Sequence, residues 1–116
     1  MPDSFPTISC PEPVSGFAWV YILQSADGSL YIGQTRDLAE RFRKHRLGLG
    51  SKFTEDHQTP RLVYCEGPVP LGDAVTRERQ LKRWSRAKKE ALIRGDLPVL
   101  QALSRARVAR RPRTHR

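Results

Sequence analysis

Between Trp19 and Thr35 the chain reads WVYILQSADGSLYIGQT: two short apolar runs, each built around a tyrosine, with a glycine near the end of the second. Such runs predict antiparallel strands over 18–24 and 29–33, joined around Ala26-Asp27-Gly28. The length of the turn decides what the tyrosines can do together. A two-residue turn points Tyr21 and Tyr31 to opposite faces, because adjacent cross-strand pairs alternate. A three-residue loop, with Gly28 in the left-handed position of a bulge, pairs Tyr21 with Gly33 and Leu23 with Tyr31. Both rings then share one face on the diagonal, within reach of each other. The three-residue loop is the expectation carried forward, with Gly33 bare either to make room for Tyr21 or to admit a substrate backbone.

Beyond the hairpin the spacing turns helical. Asp37-Leu38-Ala39-Glu40 has the form of a capping box and opens a helix to about Leu47, stopped by Gly48. After the loop GLGSKFTEDHQTP comes a third strand, Arg61 to Glu66, ended by Pro68 and Pro70. Asp73 caps a second helix to about Trp84, and Ser85 caps a third, Arg86 to Arg94, closed by Gly95. Pro98 suits the first turn of a last helix ending near Ala109, followed by RRPRTHR. The order β-β-α-β-α-α-α predicts an α+β fold, a three-stranded antiparallel β-sheet flanked by helices. Residues 1–16, rich in Pro and Ser, read as a disordered leader. The folded domain is expected over 17–95, with a C-terminal helix and basic tail over 96–116.

At 116 residues there is room for one core, and 38% apolar against 28% charged residues suits a soluble globular chain. The two cysteines, Cys10 and Cys65, show no metal-ligand spacing, which argues against a disulfide framework or a zinc site and favours a reducing, cytoplasmic setting. No secretory signal and no membrane-spanning run is visible. The net charge of +9 is concentrated at one end. Residues 18–78 carry eight bases and eight acids, whereas residues 79–116 carry thirteen bases and two acids. A polyanion is the natural partner for that segment, since each neutralised phosphate releases counterions. A membrane surface is disfavoured because no wide apolar face accompanies the charge. A merely solubilising tail is the plain alternative.

Val20-Tyr21 followed by Tyr31-Ile32-Gly33 resembles the signature of the GIY-YIG nuclease family, with Trp19 standing where the name has its first glycine. The helix DLAERFRKHR at the right distance, Arg77-Glu78-Arg79-Gln80-Leu81-Lys82 and then KRWSRAKKEALI extend the likeness over about residues 17–95, most of all to short stand-alone members. The resemblance implies phosphodiester hydrolysis in DNA, structure- or damage-directed, with Mg²⁺ or Mn²⁺ as cofactor and a protein partner for targeting. It implies Tyr31 as activator of the attacking water, Tyr21 as its orienter, Arg41 as the phosphate-stabilising cation, His45 as proton relay or phosphate donor and Glu78 as the metal ligand.

Arg41 and His45 stack four apart on the face of Leu38 and Phe42, where a guanidinium can grip a phosphate in two places; a solvated basic helix is the alternative. Ala74, Glu78 and Leu81 form one stripe, so this carboxylate turns inward and needs either a cation or an arginine. A lone carboxylate suffices for Mg²⁺, which keeps waters and substrate phosphates as its other ligands. Neutral tyrosine is a poor base, so a neighbouring positive charge must favour its phenolate. Gly33, Lys52 in the loop GLGSKF, Lys82, Arg86, Lys88 and Lys89 are the expected substrate-binding positions, the last four forming a basic rim near Trp84, itself read as packing before base stacking. The chain contains no asparagine, although many relatives carry a late one at the active site. A non-catalytic nucleic-acid-binding module on the same scaffold, or an adaptor for an acidic protein, are the rival functions.

Overall fold

The computed structural model describes residues 5–46 and 60–109. Its sheet has three antiparallel strands in the order β2-β1-β3: β1 is Phe17–Gln24, β2 is Leu30–Thr35 and β3 is Arg61–Pro70. Four helices accompany them, α1 (Leu38–Arg46), α2 (Leu71–Lys82), α3 (Arg86–Arg94) and α4 (Leu97–Ala109). The α+β class and the element order agree with those predicted.

β1 is apolar on both sides because it is the central strand: Ala18, Val20, Tyr21, Ile22 and Leu23 are all fully buried. Its register with β2 sets Tyr21 opposite Gly33 and Leu23 opposite Tyr31. The loop between them is the three-residue one. Gly28 adopts φ 90° and donates to the Ser25 carbonyl at 2.9 Å, while Asp27 Oδ1 accepts from the Ser29 N–H at 2.9 Å and from the Ser25 hydroxyl.

β3 runs on to Pro70, four residues beyond the predicted end at Glu66. The prolines are tolerated because β3 is an edge strand, and two register shifts against β1 take up the irregularity, one of them across Gly67. At Gly67, with φ 135°, a Cβ would lie 2.9 Å from the Ala18 carbonyl oxygen, so only glycine fits this bulge. α1 begins as expected, with Asp37 Oδ1 accepting from the Glu40 N–H at 3.1 Å. The reciprocal half of the box is different: Thr35 Oγ1 accepts from the Asp37 N–H, while the Glu40 carboxylate is turned forward to Arg43. α2 starts at Leu71 with no side-chain cap, which puts Asp73 inside the first turn, where its charge favours the helix dipole without capping it. The Ser85 cap and the left-handed Gly95 of α3 are as predicted. Asp96 Oδ1 accepts from the Val99 N–H and starts α4, with Pro98 in its first turn.

The leader departs from expectation. From Phe5 onward it is anchored: Phe5 is 5% exposed, its N–H donates to Gln24 Oε1, and Arg61 donates to its carbonyl at 2.7 Å and to Thr7 Oγ1 at 3.1 Å. The Ile8 N–H reaches the Leu62 carbonyl. A single buried phenyl and one guanidinium fork outweigh a Pro- and Ser-rich composition. Compact units meet between Arg83 and Trp84, the second comprising α3 and α4, whereas the sequence reading draws its line after residue 95. No helix among the described residues is long and apolar enough to cross a membrane.

Candidate active site

Strand alternation brings Trp19, Tyr21 and Leu23 of β1 to one face of the sheet. Tyr21, Leu23, Leu38 of α1 and Leu62 of β3 form a buried cluster there, with Tyr31, Phe42, Trp19, Cys10 and Cys65 packed around it. The Tyr21 and Tyr31 rings lie 6.4 Å apart, tilted by 49°. Gly33 is bare for a definite reason: a Cβ at this position would sit 2.5 Å from the Tyr21 hydroxyl and 2.6 Å from its Cζ. The space is filled by Tyr21, so packing, and not the approach of a substrate, accounts for this glycine.

The environment of Tyr21 draws the other groups together. Burial, first of all, pushes its phenol well above the ordinary value, and the neighbouring Tyr31 and the negative charge of Glu78 push the same way. Arg41 opposes them through its charge and through a hydrogen bond to the Tyr21 side chain. Burial prevails, and Tyr21 keeps its proton. Two phenols, a guanidinium and a carboxylate thus share one electrostatic neighbourhood.

Glu78 is inward-leaning on α2, with a side chain 19% exposed, between the buried Ala74 and Leu81. Its partner is Lys82, Nζ to Oε2 3.2 Å, one helical turn on and 54% exposed. An arginine partner was the alternative weighed from the sequence; the lysine takes that place, so Lys82 belongs to the carboxylate and not to a free basic rim. The lysine end of this i,i+4 pair is open to solvent, which screens the attraction and keeps the pair weak. Among the described residues no three His, Cys, Asp or Glu side chains gather in a way that could hold a metal ion.

The remaining expected positions divide. His45 lies in the last turn of α1, and its side chain, like Lys52, falls outside the described residues. Arg86, Lys88 and Lys89 are on α3 in the second unit, and two of them are committed elsewhere: Arg86 pairs with Glu90 at 2.9 Å, and the buried Lys88 ammonium lies 4.2 Å from the centre of the Trp84 ring. These are not a set of free rim cations. Burial, then the charge of Arg86, lowers the pKa of Lys89. The half-buried Trp84 packs under a lysine, in keeping with the packing role preferred for it.

Two further clusters stand beside the expected residues. Cys65 stands directly opposite Tyr21, and burial, then the nearby Cys10 and Glu66, raises its thiol pKa. Its place depends on the bulged register of β3, for which the sequence carries no periodic signal. Tyr64 donates to Glu66 Oε1, and Arg77 grips the same carboxylate at 2.7 and 3.2 Å, tying α2 to β3. The alternation of Tyr64 and Glu66 along a strand was the available clue.

A three-stranded sheet that pairs two tyrosines over a glycine, with an arginine helix and a glutamate helix beside them, defines a domain of the GIY-YIG nuclease superfamily. The family model for the GIY-YIG catalytic domain matches residues 17–91, and the chain belongs to that family. It is 40% identical over 76 residues to the UPF0213 proteins of Staphylococcus aureus strains Mu3 and Mu50, an alignment covering 66% of this chain and 93% of theirs. These are short stand-alone members, as the likeness to KRWSRAKKEALI suggests. The solution NMR structure of a UPF0213 protein from Bacillus halodurans, 39% identical, covers 66% of this chain and 81% of its own, with a TM-score of 0.44. Membership of a nuclease superfamily implies nucleic acid as the general class of substrate.

Proposed function

We propose that this protein is a metal-dependent endonuclease that hydrolyses phosphodiester bonds in DNA, selected by strand structure or damage during repair or processing. The observation that carries the reading is the meeting of Tyr21, Tyr31, Arg41 and Glu78 around one buried phenol. Tyr21, kept protonated by burial, holds and orients a water through its hydroxyl. The half-buried Tyr31 beside it is the member of the pair assigned to activate that water, its phenolate form taking the proton and the phenol's own proton having gone to solvent beforehand. Arg41, already bonded to Tyr21, faces the phosphate and offsets the charge that gathers on it. His45 follows Arg41 one turn later on α1 and is assigned the proton relay or a phosphate contact.

Glu78 suits Mg²⁺ or Mn²⁺: it is one carboxylate, little exposed, whose ion pair with the solvent-open Lys82 a divalent cation can displace. When bound, the cation supplies Lewis-acid stabilisation of the leaving oxygen. The basic second unit adds affinity for a polyanion without choice of sequence.

A second reading, a non-catalytic nucleic-acid-binding module, is favoured by the Glu78–Lys82 pair and by the lack of any asparagine in the chain. One panel separates the two: labelled flaps, junctions, single strands and duplexes of DNA, with RNA counterparts, incubated with Mg²⁺, with Mn²⁺ and with chelator. Cleavage that needs the metal, and falls by about 100-fold or more in Glu78→Ala while binding persists, supports the enzyme. Binding by a parent chain inert on every substrate supports the module.

A further inference from the structure

Trp19 stands where the motif has its first glycine, two residues before Tyr21 and on the same face of β1. Successive residues on one face lie roughly 7 Å apart, so the indole flanks the tyrosine pair on the side away from Tyr31, which sits opposite Leu23. The ring packs against the cluster around Tyr21, and its Cε3 edge lies over the bare backbone of Gly67, where a Cβ would come within 3.2 Å.

One atom of this ring is out of order. The Nε1–H is shut off from water and finds no acceptor among the described residues. Indole nitrogen can only donate, so it needs an acceptor that the described residues do not supply. Native folds rarely keep such a donor without a use. The residue as a whole is only half-buried, so part of the indole is open to an incoming strand.

We propose that Trp19 is a substrate-binding residue, whose indole N–H donates to a phosphate oxygen of the nucleotide next to the scissile bond. This rests on the nucleic-acid reading of the Tyr21 site, but not on cleavage itself. A hydrogen bond to a charged oxygen is among the stronger ones, and none of the described residues competes with the polyanion for this donor.

Trp19→Phe deletes the N–H and keeps an aromatic body. With chelator present to prevent cleavage, its binding to labelled single-stranded and duplex oligonucleotides should be about 10-fold weaker than that of the parent, by a similar factor for every base sequence. Its thermal midpoint should stay level or rise, because an unsatisfied buried donor has been removed. A measurement on the unaltered residue stands beside the variant: the Trp19 indole N–H resonance, assigned in Trp84→Phe, should shift when oligonucleotide is added.

Equal binding by Trp19→Phe, a loss that varies with base sequence, a clear fall in thermal midpoint or an unmoved resonance each overturns the assignment. A parent chain that binds no nucleic acid overturns it together with the reading it rests on. A parent that binds without cleaving removes the enzyme alone, and leaves the Trp19 result to be judged by the binding data.

Discussion

The first unit contains two clusters made of the same three groups. Around Tyr64, the phenol donates to Glu66, and Arg77 clamps both oxygens of that carboxylate while also donating to Gln80. Around Tyr21, Arg41 bonds the phenol, as Arg77 also does at Tyr64, but the carboxylate, Glu78, pairs with a lysine of its own helix and not with the arginine. Both phenols are pushed up, chiefly by burial. The difference lies in what remains to be bonded. In the first cluster the guanidinium and the carboxylate satisfy each other, and the result is a brace between α2 and β3. In the second, the guanidinium bonds the phenol and the carboxylate pairs with Lys82, so the two do not satisfy each other. Residue types alone do not make a site; their order of pairing does.

Substituting the two arginines is the widest way to separate these clusters. Arg41→Ala should lower cleavage by about 100- to 1000-fold, with only about 1 kcal/mol lost from stability, as read by single-turnover kinetics and urea unfolding. Arg77→Ala should do the reverse, destabilising by about 1–3 kcal/mol because Glu66 loses its partner, with cleavage at low temperature changed only a few-fold. Comparable kinetic losses in both would mean the clusters are not distinct.

Gly33→Ala sharpens the contrast from the steric side. The new Cβ meets the Tyr21 hydroxyl in a site with no free space, so a loss of about 1–3 kcal/mol in unfolding free energy is expected, together with a displaced Tyr21 and impaired cleavage. A fully stable and active variant would show that Tyr21 yields easily and that the packing account of this glycine is wrong.

The smallest expected effect concerns alkaline pH. Tyr21 and Tyr64 hold their protons more tightly in the folded chain than in the unfolded one, where phenols titrate near the ordinary 10.0. Their contribution is therefore complete below about pH 10 and declines as pH rises beyond it, because only the unfolded chain gives up these protons there. Thermal midpoints should fall above about pH 10, with a gentler slope in Tyr64→Phe. A midpoint level through that range would contradict the burial of both phenols.

Much of this was open to reading from the residues in order. The two apolar runs and the three-residue loop Ala26-Asp27-Gly28 specified the hairpin, and with it the shared face of Tyr21 and Tyr31, because cross-strand pairing follows from loop length. Ser85, Gly95 and Pro98 marked helix ends, since caps act within a few residues of the backbone groups they satisfy. The GIY-YIG pattern and the basic C-terminal third pointed to a nuclease superfamily and a polyanion. Other features depended on contacts between distant segments. Phe5 looked like part of a featureless leader until Arg61 and Gln24 were found to receive it; Cys65 came beside Tyr21 only through the bulges of β3; Lys82 and Lys88 counted as free cations until Glu78 and the Trp84 ring claimed them. A charge or a phenyl ring carries no mark of its partner along the chain, and burial, which decides whether Tyr21 keeps its proton and whether Trp19 lacks an acceptor, exists only once the strands and helices have closed around it.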